Sequence, residues 1–84
     1  MAEIRRGQLT QRFGAVMREQ RTAAGYSQEK LAHEAGVDRS FVSEIERGVK
    51  SPTLETLALL AAALNVTPSE LLRRAENFDE DASE

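Results

Sequence analysis

The chain has 84 residues, 40% of them apolar and 30% charged, and no cysteine. That is enough for one small domain, near the lower limit of what folds alone, and it excludes disulfides and thiolate metal sites. The net charge of −3 is unevenly spread: residues 76–84 hold five acids (Glu76, Asp79, Glu80, Asp81, Glu84) and no base, leaving 11 bases against 9 acids, a net of +2, over residues 1–75. No apolar stretch approaches the roughly 20 residues of a spanning helix, and the N-terminus lacks the apolar run of a signal peptide. The expectation is a cytoplasmic protein with no membrane partner.

Residues 1–8 are polar and are expected to form a flexible arm carrying Arg5 and Arg6. From Leu9 the apolar residues Leu9, Phe13, Val16 and Met17, with the amide Gln20 at the next spacing, repeat with the helical period. This first helix should end near Ala24, with Gly25 just beyond it. Ser27 is a good N-cap for a second helix, and Tyr26 and Leu31 have the spacing of a hydrophobic staple. Leu31, Ala32 and Ala35 form its buried face. Gly36 falls where the backbone must turn left-handed. Asp38 caps a third helix in which Val42 and Ile45 face inward, and Gly48 closes it. Small Ala32 lets the third helix cross closely over the second. Residues 27–48 therefore read as a helix-turn-helix.

Pro52 forbids continuation of the third helix, and Thr53 caps a fourth. Its residues Leu54, Leu57, Leu60, Ala61 and Leu64 are expected to make a core stripe, with Leu59, Ala62 and Ala63 on the other side. A helix apolar on both sides is buried on both or meets a partner. Asn65 ends it. Thr67, Pro68, Ser69 and Glu70 read as a capping box with proline in the first turn, opening a fifth helix with Leu71, Leu72 and Ala75. The fold class is all-α: a compact five-helix domain over residues 9–75, followed by an acidic tail over 76–84 that is expected to be disordered.

Taken together, Ser27-Gln28, Leu31-Ala32, Gly36-Val37, Val42-Ser43, Ile45-Glu46-Arg47-Gly48 and Pro52 resemble the helix-turn-helix of the phage repressor and Cro proteins, the xenobiotic-response-element type. The resemblance covers residues 9–73. The run from Val37 to Ser43 also resembles the controller proteins of restriction–modification systems. What this implies is a lambda-repressor-like DNA-binding domain that recognises an inverted-repeat operator as a homodimer. It also implies a pair between Arg21 and Glu46 that ties the third helix to the first.

With Val42 and Ile45 inward, the third helix presents Arg39, Ser40, Ser43, Glu44 and Arg47. Arg39 is the best base reader, since a guanidinium can donate twice to guanine O6 and N7. Ser40 can donate or accept. Glu44 can accept from a cytosine amine, or orient Arg39 and Arg47. Phe41 packs on the core or contacts DNA. Gln28, opening the second helix, places its amide and the free helix N–H groups where a phosphate would sit; the resemblance assigns it that role, with Arg47. Ser43 and Lys50 are further backbone candidates.

One such helix reads only a few base pairs, and two-fold dimers overcome this by reading half-sites roughly 34 Å apart. Leu59, Ala62, Ala63, Leu72 and Phe78 are the candidate dimer interface. His33, the one histidine, lies on an exposed face without companion ligands, so no metal and no cofactor are expected. No nucleophile has a base near it, and no glycine-rich phosphate loop is present, so the chain does not read as an enzyme. RNA polymerase or another protein stays open as a further partner. The rival reading is an antitoxin or adaptor that uses the same fold to bind protein.

Overall fold

A computed structural model describes residues 7–78. The arm through Arg6 and the tail from Asp79 lie outside the described residues. Within them the chain forms five α-helices and no strand: α1 (Gln8–Ala23), α2 (Gln28–Ala35), α3 (Arg39–Glu46), α4 (Leu54–Ala63) and α5 (Pro68–Glu76).

The helix ends follow local chemistry. The hydroxyls of Ser27, Thr53 and Thr67 each accept a hydrogen bond from a backbone N–H three residues on, at 3.0–3.1 Å. Each of these bonds satisfies an amide that has no partner within its own helix. Two expected caps differ. Asp38 holds the N-cap position of α3 but makes no side-chain capping bond. The Thr67 box is half formed: the Glu70 carboxylate accepts from Arg73 and Arg74 at 2.6 and 2.8 Å instead of reaching back. Two guanidiniums on the same helix face draw it away from the neutral Thr67 amide. Gly36 carries the left-handed turn between α2 and α3, with φ of 73°, and Asn65 supplies the same conformation after α4.

α1 lies across both α3 and α5, while α2 packs on α3 and α4, and α4 on α5. Met17, Leu31, Ile45, Leu60 and Leu71 are fully buried at the centre, each worth roughly 1.5–3 kcal/mol of burial. Gly14 makes the α1–α3 crossing possible. A Cβ there would overlap the Ile45 carbonyl oxygen and lie 3.0 Å from that of Glu46, so the two backbones touch directly.

One core assignment is corrected. Leu54 is 81% exposed, whereas Leu57, Leu60, Ala61 and Leu64 are buried. Leu54 is the first residue of α4, at the edge of an open groove, so the stripe runs out of neighbours before reaching it.

Candidate nucleic-acid interface

α3 is anchored from below by Val42 and Ile45, both 1% exposed, and from one end by a polar cluster. Arg21 of α1 meets Glu46 with two hydrogen bonds, Nε to Oε2 at 2.6 Å and Nη2 to Oε1 at 3.1 Å. The third nitrogen of the fork donates to the Tyr26 carbonyl at 2.8 Å. Gln28 of α2 completes the cluster, its Nε2 donating to Glu46 Oε1 at 3.0 Å. The Glu46 side chain is 4% exposed and that of Arg21 14%. Hydrogen bonding to Glu46 raises the Arg21 pKa above its ordinary value, against a smaller opposing effect of burial. One carboxylate therefore fastens three helices, and a planar fork suits that task as a lysine would not.

This cluster also fixes Gln28. One amide N–H is held by Glu46, so the side chain is oriented at the start of α2, where the helix N-terminus favours an anion. The sequence pattern carries no signal for the glutamine's link to Glu46. Gln28 and Glu46 are 18 residues apart, and no periodicity relates them.

The outward side of α3 divides in two. At its N-terminal end Arg39 and Ser40 are exposed and neither side chain has a partner among the described residues. A guanidinium in that position is free to meet a ligand at no cost in broken contacts. Further along, Glu44 pairs with Lys50 at 3.5 Å, and the Lys50 ammonium stands 5.9 Å from the Phe41 ring centroid. Phe41 is half-buried and packed against the core, so it has both a core edge and an outward edge. Of the two roles open to Glu44, orienting Arg39 and Arg47 has no ion pair behind it among the described residues. Lys50, in the loop after α3, neutralises that carboxylate instead, and Arg47 donates to Ser43 Oγ at 3.4 Å. The loop cation reaches Glu44 because Gly48 turns the chain back at a φ of 76°.

The candidate dimer residues are spread along α4 and α5. Leu59 and Ala62 are exposed, Ala63 and Leu72 are half-buried, and Phe78 is half-buried against the core. His33 is exposed, and no cluster of His, Cys, Asp or Glu able to hold a metal occurs among the described residues. No helix among them is long and apolar enough to cross a membrane.

A short α2, a left-handed glycine turn and an α3 held by its inner face and its C-terminal end define a helix-turn-helix protein. The chain belongs to the helix-turn-helix family, which matches it over residues 17–71. It is similar to the control protein C.BamHI of Bacillus amyloliquefaciens, 39% identical over 61 residues that cover 71% of this chain and 75% of that protein. The crystal structure of the restriction–modification controller C.AhdI from Aeromonas hydrophila superposes with a TM-score of 0.71 at 48% identity, over 75% of this chain and 94% of that one. The controller C.Esp1396I, solved as a tetramer on its natural 35-base-pair operator, matches with a TM-score of 0.74 at 28% identity, over 82% and 91% of the two chains. Against longer regulators the match is partial: the aligned region spans 44% of an uncharacterised one from Mycobacterium tuberculosis. The chain is therefore a DNA-binding regulator of the controller-protein kind.

Proposed function

We propose that two copies of the chain bind an inverted-repeat operator and control transcription, acting in the cytoplasm as a restriction–modification controller does. α3 enters the major groove by its N-terminal end. Arg39 reads a guanine, with Ser40 and Glu44 contributing to base choice. Gln28, Ser43, Arg47 and Lys50 hold phosphates, and the outward edge of Phe41 lies against the DNA. The two-fold contact is drawn from the apolar surface of α4 and α5 that includes Leu59, Ala62, Ala63, Leu72 and Phe78.

The observation that carries this reading is the contrast along α3. Its C-terminal end is locked by the Arg21–Glu46–Gln28 cluster, while Arg39 is left exposed and unpaired among the described residues. A rigid helix presenting one free guanidinium is what direct base readout needs.

Selection of bound duplexes from a random pool at about 0.15 M salt, where exposed charges are screened beyond roughly 8 Å, tests it. Enrichment of an inverted repeat with half-sites about one helical turn apart is expected. Arg39→Ala should then lose preference at one base pair, and Gln28→Ala should weaken all duplexes alike. A folded protein that enriches no motif would overturn the reading and favour an antitoxin or adaptor. RNA polymerase is the partner through which a bound controller would activate.

A further inference from the structure

Glu44 is the one acid on the outward side of α3, in the company of Arg39, Ser40, Ser43 and Arg47. Its partner among the described residues is Lys50, Nζ to Oε1 at 3.5 Å. The same ammonium stands 5.9 Å from the Phe41 ring centroid, and Phe41 is packed against the core, so the loop holds the cation beside the acid. Both side chains keep contact with solvent, 36% of Glu44 and 54% of Lys50. Such an exposed pair is weak and opens easily. Glu44 follows Arg39 by five residues, about 140° around the helix at ~100° per residue. The acid and the guanidinium therefore stand on opposite flanks of the outward side, where they meet different base pairs.

An ionised carboxylate only accepts hydrogen bonds. In a major groove the N4 amine of cytosine or the N6 amine of adenine can satisfy it, whereas thymine O4 and guanine O6 and N7 are acceptors themselves and repel it. Adenine also carries N7 beside its amine, which leaves cytosine the better match. We propose that Glu44 excludes keto bases from the position it faces, and that Lys50, without touching a base, sets how strict the exclusion is. The inference rests on the DNA-reading role of α3 above and deepens it. The ammonium offsets part of the carboxylate's charge, so a keto base opposite Glu44 costs less with Lys50 present than without it. Three donors on the ammonium let Lys50 keep Glu44 while it meets a phosphate. Lys50 is thus a positioning residue, acting on base choice through Glu44.

The test is duplex selection at about 0.15 M salt with wild type, Glu44→Gln and Lys50→Met, each checked for helix content. Glutamine keeps the shape of the acid, and methionine keeps an apolar stem against Phe41, so both variants should fold. The wild-type motif should contain one position, apart from the guanine of Arg39, where cytosine is preferred and thymine and guanine are depleted about tenfold, within the range of one base contact. Glu44→Gln should relax that position to less than about threefold and leave the Arg39 position as it was. Lys50→Met should lower affinity overall yet deepen the depletion by about threefold, the scale of one exposed ion pair. A lysine that only holds a phosphate would weaken all duplexes alike, so an unchanged or relaxed pattern in Lys50→Met overturns the proposal. An unchanged position in Glu44→Gln overturns it too, and in both cases the DNA-reading role stands. A folded wild type that enriches no motif overturns both, before the variants are compared.

Discussion

The cluster around Glu46 gives the sharpest test of how α3 is held. Replacing Glu46 by alanine removes an acceptor of three hydrogen bonds, at 2.6, 3.0 and 3.1 Å, and leaves the Arg21 guanidinium with only the Tyr26 carbonyl. Breaking a buried pair by removing one partner costs about 3–5 kcal/mol. Arg21 keeps 14% of its side chain exposed, so water can replace part of what is lost, and the lower end, about 3 kcal/mol, applies. In a domain of this size 1 kcal/mol moves the melting temperature by roughly 4–8 °C, so Glu46→Ala should melt some 12–24 °C lower, by circular dichroism. Arg21→Ala should cost somewhat less than Glu46→Ala, because Glu46 then retains Gln28 as a partner. Arg21 and Glu46 act as a unit, so the double variant should be much less destabilised than the sum of the singles, with a coupling of about 1–3 kcal/mol in a double-mutant cycle. Additive singles, or a loss under 1 kcal/mol for Glu46→Ala, would refute the idea that this carboxylate fastens three helices.

Three further outcomes follow from particular contacts. Gly14→Ala places a Cβ against the Ile45 and Glu46 carbonyls, and separating α1 from α3 should cost about 1–3 kcal/mol in urea unfolding; a neutral variant would mean the crossing is not tight. Hydrogen bonds from Arg73 and then Arg74 hold the Glu70 carboxyl below its ordinary pKa. Its contribution is therefore complete above the usual carboxylate range and is lost as pH falls through the lowered value. The stability gap between wild type and Glu70→Gln should be small, present at neutral pH and closed in strong acid; a gap that persists there would be inconsistent with the pairing. Lys50→Met should leave Glu44 without its neutralising cation, weakening DNA binding through added phosphate repulsion, and Glu44→Gln in the same chain should recover part of that loss in a fluorescence titration. For a dimer neutralising about five phosphates, log affinity should fall with log salt at a slope of roughly −4 to −5.

The parts of the fold readable from sequence were those set by short-range rules. The Ser27, Thr53 and Thr67 caps, the Gly36 turn and the burial of Val42 and Ile45 depend on residues within a turn or two of each other, and the structure has them all. Leu54 has the right spacing for the core yet lies outside it, because spacing places a residue on a helix face but does not say how far the neighbouring helix extends. Gly14 carried no signal for a similar reason. It sits inside a strongly helical pattern, and only the approach of α3 reveals why a side chain is excluded. Lys50 displaced Arg39 and Arg47 as the partner of Glu44 because a loop brought it back, which no helical periodicity describes.

These differences bear on readout. Had Glu44 been occupied with Arg39, the guanidinium would have to leave an ion pair before reaching a base. With Lys50 taking that role from the loop, Arg39 has no partner among the described residues and Glu44 is neutralised from the side. The free cation stands at the N-terminal end of α3, the neutralised acid one turn further along, and the locked carboxylate of Glu46 at the far end. Charge is thus graded along the eight residues of α3, with freedom greatest where a recognition helix goes deepest into the groove. Exchanging Arg39 for lysine keeps the charge but loses the fork, so it should retain nonspecific affinity while losing base preference. Retained preference in Arg39→Lys would mean that position 39 acts through charge alone.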